Sequence, residues 1–210
     1  SIDIGFKSIS SNIQTIKQSD ILAILKPFKK KNNLHKDSKG RLTISAGSNH
    51  YPGAAILCSM AAYKAGAGYV DLRFCGKNIE LENNINTQYP DLILGKTMYQ
   101  LAKFALFGPG YDFEEDEEWP CLDGYTNIVC DASILSDSNR EIDYFPQNSI
   151  LTPHVGEFSS LFNIEKINVL DLLSIKNVQK IIKNRILILK SFNTFIITKD
   201  TIYIMDKGPS

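Results

Sequence analysis

A chain of 210 residues, 43% hydrophobic and 22% charged, can bury one sizeable core and has about the length of a single α/β domain. Its 23 Lys+Arg and 23 Asp+Glu cancel to a formal charge of zero, so no global field favours nucleic acid or an anionic membrane, and neither is expected as a partner. No apolar stretch approaches bilayer-spanning length, the first residues lack a signal-peptide core, and the four cysteines (Cys58, Cys75, Cys121, Cys130) show no zinc or redox spacing; a soluble protein of the reducing cytoplasm is expected.

Residues 1–27 read as a linker or extended arm, polar with isolated Ile, in which Ser19 caps a short helix over 20–25 that Pro27 stops. Residues 28–210 form the folded unit. The basic run 29–31 and the acidic run 114–118 are solvated loop charge. The apolar Leu42, Thr43, Ile44 stretch is a strand that leads through Ala46-Gly47-Ser48 and Tyr51-Pro52-Gly53 into a helix over 54–65. Strand, glycine turn and helix N-terminus in that order bring backbone N–H groups together where an anion can sit. The helix is rich in Ala and is expected to lie close to a sheet, buried nearly all round, until Gly66 supplies a left-handed cap.

A strand over 69–74 follows, then a polar stretch over 78–86 that is loop or weak helix, and one or two helical turns over 97–103. Ala105, Leu106 and Phe107 form a strand cut at once by Gly108-Pro109-Gly110. Strands over 127–130 and 149–152 carry Asp131 and Pro153-His154 at their tips. Apolar periodicity predicts helices from Gly156 through Phe162 and over 169–184, a strand over 186–189, a turn at 191–193 and a hairpin of 194–198 with 201–205. The sheet is therefore mostly parallel with an antiparallel edge hairpin, and polar strand ends share one edge.

Taken singly, each tip has a plain explanation: His154 bonds a neighbouring carbonyl, Asp131 caps the next helix, Lys190 snorkels to solvent. Together, an aspartate, a histidine, a lysine and two glycine turns supply what a nucleotide-dependent enzyme needs, namely phosphate donors, an acid for a metal or leaving group, and backbone open to close approach. No Walker-type glycine-lysine-serine run is present.

The segments His35-Lys36 through Gly40, Ala46-Gly47-Ser48 with 51–55, 65–68, Gly108-Pro109-Gly110, Asp131-Ala132, Leu151-Thr152-Pro153-His154 with Gly156-Glu157, and Leu189-Lys190-Ser191 with Thr194 occur in an order that resembles the NAD(P)H-hydrate dehydratase family. The resemblance implies a three-layer α/β/α ribokinase-like fold with its C-terminal part missing, and an ADP- or ATP-dependent lyase that returns (S)-NADH-hydrate and NADPH-hydrate to NADH and NADPH. Matching positions put Ala54, Gly110 and His154 on the hydrated nicotinamide nucleotide. They put Lys190, Ser191, Phe192, Asn193 and Thr194 along the adenine nucleotide, with His35, Lys36, Gly47, Ser48 and Asp131 in support. The implied chemistry phosphorylates the C6 hydroxyl and then eliminates phosphate, with Mg²⁺ bridging the nucleotide phosphates and no side chain assigned as a metal ligand. A homo-oligomer is also implied.

Three departures stand against the pattern. The family's Gly-Pro-Gly-Leu-Gly is Gly108-Pro109-Gly110-Tyr111-Asp112, and its Asp-Ala-Asp-Ala-Leu is Asp131-Ala132-Ser133-Ile134-Leu135. Its Gly-Thr-Gly-Asp, whose aspartate is the general base, is expected beyond Ser210, so the 210-residue chain taken alone is expected to be inactive. Ile2-Asp3-Ile4-Gly5 resembles the tail by which bifunctional members leave an epimerase domain. A sugar or vitamin-alcohol kinase of the same superfold, and a non-catalytic nucleotide-binding fragment, remain as alternatives.

Overall fold

The computed structural model describes residues 13–25, 39–95, 103–112, 122, 124–136 and 141–205. In chain order its strands are β1 (Ile13–Thr15), β2 (Arg41–Ala46), β3 (Tyr69–Phe74), β4 (Ile93–Leu94), β5 (Phe104–Phe107), β6 (Asn127–Cys130), β7 (Ser149–Leu151), β8 (Ile186–Leu189), β9 (Thr194–Ile197) and β10 (Ile202–Met205). The α-helices are α1 (Gln18–Leu25), α2 (Pro52–Ala65), α3 (Ile79–Gln88), α4 (Val155–Phe162) and α5 (Leu172–Ile181). Expected features at residues 2–5, 27, 29–31, 114–118 and Cys121, with His35, Lys36 and most of 97–103, lie outside the described residues.

The strands make one sheet in the order β1-β10-β9-β8-β7-β6-β5-β2-β3-β4. Every neighbouring pair is parallel except those of β9, which runs against both β8 and β10. The expected hairpin is present, but one strand in from the edge: Ile13 to Thr15 of the expected arm pair in parallel with Ile202 to Ile204. That pairing satisfies the outer row of β10 backbone groups.

Register divides the core between the two faces. Thr43 stands beside Ala105 and Ile44 beside Leu106, so the buried Ile44, Ala46, Val70 and Leu72 point to one face. There they pack with Ala55 and Ala62 of α2 and Ile85 of α3. The buried Ala105, Phe107, Ile128, Cys130, Leu151, Leu187 and Ile197 point to the other, against Phe158 and Leu161 of α4 and Ile175 and Val178 of α5. Helices on both faces give three layers, as expected.

Helix α1 begins at Gln18, with Ser19 inside it rather than capping it, and other elements differ from their sequence reading too. The polar 78–86 stretch is a full helix, α3, because the Asn78 side chain accepts from the Glu80 and Leu81 N–H groups at 2.9 and 3.3 Å and so satisfies two orphan donors. Helix α2 is buried on one face only: Ala55, Ser59 and Ala62 lie on the sheet while Leu57 is 69% exposed, because a close approach needs small residues on just one stripe.

Candidate active site at the strand tips

The C-terminal ends of β2, β5, β6, β7 and β8 lie along one edge of the sheet and are stitched together by backbone hydrogen bonds. Gly47 N–H donates to the Pro109 carbonyl at 2.8 Å and Gly108 N–H to that of Ser45 at 3.1 Å, joining the tips of β2 and β5. Asp131 N–H donates to Phe107 at 3.0 Å, Thr152 N–H to Cys130 at 3.0 Å and Lys190 N–H to Pro153 at 2.8 Å, which carries the row on through β6, β7 and β8.

At the first junction the glycines are required by space as well as by backbone conformation. Gly110 has φ +67°, and an added Cβ would stand 2.6 Å from the Ala54 Cβ and 3.1 Å from that of Tyr51. Ala54 and Gly110, matched separately in the sequence, are thus in contact. Gly47 has φ +80° and is closed over by Ala55 and the Phe74 ring, while Ser48 Oγ accepts from the Tyr51 N–H at 3.1 Å where α2 begins. Across the same junction His50 Nδ1 lies 3.2 Å from Asp112 Oδ2, so the carboxylate that departs from the family pattern faces a histidine.

At the centre, Asp131 Oδ1 accepts from Thr152 Oγ1 at 2.7 Å and from Lys190 Nζ at 2.6 Å. Burial pushes the Asp131 carboxyl up, but the hydrogen bonds from Lys190 and Thr152, with the ammonium charge, outweigh it and hold it below the ordinary carboxylate range. The expected helix-capping bond from this side chain is absent.

His154 stands at the N-terminus of α4 in a reciprocal capping arrangement with Glu157. Its Nδ1 accepts from the Glu157 N–H at 3.1 Å, its own N–H donates to Glu157 Oε2 at 2.8 Å, and Nε2 lies 3.3 Å from Oε1. The Glu157 side chain is 6% exposed and the histidine ring 59%, so a buried carboxylate fixes an exposed imidazole. Sequence reasoning gave Glu157 and Thr152 no site role of their own. The i, i+3 spacing of His154 and Glu157 was the signal that could have found the first.

Beyond Lys190 the chain bends through Ser191, Phe192 and Asn193, with Ser191 Oγ donating to the Asn193 carbonyl, before Thr194 opens β9. Phe192 is fully exposed beside the row of tips.

The family model described as NAD(P)H-hydrate dehydratase matches residues 42–210. The chain belongs to the NAD(P)H-hydrate dehydratase family. One relative, the ADP-dependent (S)-NAD(P)H-hydrate dehydratase of Lactococcus lactis, is 30% identical over 148 residues, covering 65% of this chain and 54% of its own length. The chain thus spans about half the length of the curated relatives it matches. Among solved structures, the ADP/ATP-dependent NAD(P)H-hydrate dehydratase of Bacillus subtilis, co-crystallised with ATP/Mg²⁺, superposes with TM-score 0.72 at 20% identity over 94% of this chain and 74% of its own. A ribokinase-like superfamily protein of Enterococcus faecalis does so with TM-score 0.70 at 17% identity, over 97% and 75%. The fold is ribokinase-like.

The donor set does not suit a protein-held Mg²⁺. Among the described residues no three His, Cys, Asp or Glu side chains are grouped to hold a metal ion, and the Asp131 and Glu157 carboxylates are engaged with Lys190 and His154. Among the same residues no helix is long and apolar enough to cross a membrane.

Proposed function

We propose that this chain supplies the binding surface of a nucleotide-dependent dehydratase that repairs (S)-NADH-hydrate and NADPH-hydrate. The observation that carries the reading is the stitched row of five strand tips, which puts glycine backbone, Asp131, His154 and Lys190 on one edge of a sheet whose family acts on these hydrates. The C6 hydroxyl of the hydrate takes the terminal phosphoryl group of ADP or ATP, and the ring nitrogen's lone pair then expels phosphate to restore the reduced nicotinamide. Ala54, Gly110 and His154 contact the hydrate; Lys190 and the 191–194 bend line the adenine nucleotide, with Gly47, Ser48 and Asp131 in support. Mg²⁺ is carried by the nucleotide phosphates.

Residues 28–210 are read as the dehydratase domain and 1–27 as the arm leading into it, whose Ile13–Thr15 adds the edge strand to the domain's sheet. The 210 residues contain no Gly-Thr-Gly-Asp run. A homo-oligomer belongs to the same reading; the thiols of Cys58 and Cys130 support a cytoplasmic setting, and the residues 2–5 a link to an epimerase domain.

Calorimetric titration with ADP and Mg²⁺ tests the reading. Binding should be measurable in the wild-type chain and weakened about 10-fold or more by Lys190→Ala, the scale of one lost charge-assisted hydrogen bond. No ADP or ATP binding, or unchanged affinity in the variant, would refute the assignment.

A further inference from the structure

The Asp131 backbone is held on three sides. Its N–H donates to Phe107; its carbonyl oxygen occupies the space a Gly108 side chain would need, 1.9 Å from an ideal Cβ; and Ala132 immediately after it has φ +56°, a left-handed conformation that costs a non-glycine residue strain. Thr152 then fixes the carboxylate from the next tip at 2.7 Å, and Lys190 reaches the same oxygen from the tip beyond at 2.6 Å.

As a stability device this arrangement makes little sense. The Lys190 and Asp131 side chains are 45% and 31% exposed, and an ion pair so open to water contributes little to folding, while the left-handed Ala132 works against it. As a positioning device it does. A lysine side chain is flexible and loses much freedom when a ligand orders it. An ammonium already anchored through one N–H to a rigid carboxylate has two donors left and has lost that freedom in advance. The carboxylate is held ionised well below neutrality, so the anchor persists at physiological pH.

We infer that Asp131, seated by Thr152 on its rigid backbone mount, is a positioning residue that presents the Lys190 ammonium to the nucleotide's phosphate oxygens. The inference rests on the proposed nucleotide role of Lys190, and its test separates the two.

ADP affinity in the presence of Mg²⁺ is measured by calorimetry for wild type, Asp131→Asn, Lys190→Met and the double variant. Asp131→Asn should weaken ADP about 3- to 10-fold in the wild-type background and have no further effect once Lys190 is Met. A merely structural role would lower affinity equally in both backgrounds. Equal loss in both, or unchanged or tighter binding by Asp131→Asn, overturns the inference. Unchanged affinity in Lys190→Met instead overturns the nucleotide role of Lys190, and with it what Asp131 is positioned for. The ¹⁵N relaxation of the Lys190 ammonium in the ligand-free protein reads the anchor apart from any nucleotide: ordered in wild type, mobile in Asp131→Ala. An ammonium as mobile in wild type as in the variant overturns the inference whatever the titrations give.

Discussion

Gly110→Ala isolates what the glycine turn contributes. At φ +67° an alanine pays the left-handed penalty of about 1–2 kcal/mol, and here its Cβ would also meet the Ala54 Cβ at 2.6 Å and the Tyr51 Cβ and carbonyl oxygen at 3.1 Å. Neither neighbour can swing aside, since one is a Cβ on the first turn of α2 and the other includes backbone, so the helix start must shift. Overpacking of that kind costs about 1–3 kcal/mol more. The control is Gly66→Ala at the end of the same helix, where φ is +106° but no atom lies within 4 Å of the new Cβ. It carries the conformational penalty alone. Urea unfolding of the three proteins should show Gly110→Ala destabilised by about 2–5 kcal/mol and Gly66→Ala by clearly less, with the slope unchanged. On the proposed role of Ala54 in hydrate binding, that binding should fall in Gly110→Ala, where Ala54 is displaced, and remain intact in Gly66→Ala. Equal destabilisation by the two would show that the contact between the tip of β5 and α2 is looser than the distances state, and would refute the steric argument.

Three further outcomes follow from other parts of the fold. Asp131 titrates lower in the folded than in the unfolded chain, so its stabilising contribution is fully present above the unfolded value of about 3.9 and is lost as pH falls through the folded one. The melting-temperature gap between wild type and Asp131→Asn, small because the pair is open to water, should therefore be constant above about pH 5 and close on acidification; a gap that widens would reverse the sign. Arg185 is 2% exposed and donates from Nε to the Phe145 carbonyl at 2.7 Å and from Nη2 to Asp143 at 3.1 Å, so Arg185→Ala should cost about 2–4 kcal/mol in denaturant unfolding, with Arg185→Lys recovering only part because the planar fork is lost. Asn78→Ala should cost about 1 kcal/mol and speed hydrogen exchange at Glu80 and Leu81, the two N–H groups it caps, while exchange in α5 stays unchanged.

The strands were legible where burial on both faces makes a continuous apolar run, as in Ile186–Leu189, or where glycine ends the run, as at Phe107. Strand β1 was not, because Ile13-Gln14-Thr15 is too short and too polar to show a period of two; its identity comes from β10, which lies 189 residues away between the first paired positions Ile13 and Ile202. The start of α5 was missed for a related reason. Val169 is fully buried and fits the helical stripe, yet it follows a turn of 3₁₀ helix at Lys166–Asn168, and the α-helix begins only after Asp171. Burial and helical membership are separate properties, and periodicity reports the first.

The site was legible as residue types at strand ends but not as links between them. Parallel register sets those links: Phe107 stands beside Cys130, Cys130 beside Leu151 and Leu151 beside Leu187, which brings Gly108, Asp131 and Thr152 level just past the last paired residues. Lys190 lies further along, beside His154, and on the far side of β7 from Asp131. Two strand spacings come to about 10 Å, so the lysine stem must cross the end of β7, and Thr152 is the residue it crosses. That explains why the hydroxyl and the ammonium converge on one carboxylate oxygen. It also explains why the arrangement depends on the whole row, since a one-residue slip of β7 would turn Thr152 to the other face and leave Lys190 with Asp131 out of line. The pairing of two residues 59 apart in sequence is thus a property of three adjacent strands, each unremarked alone.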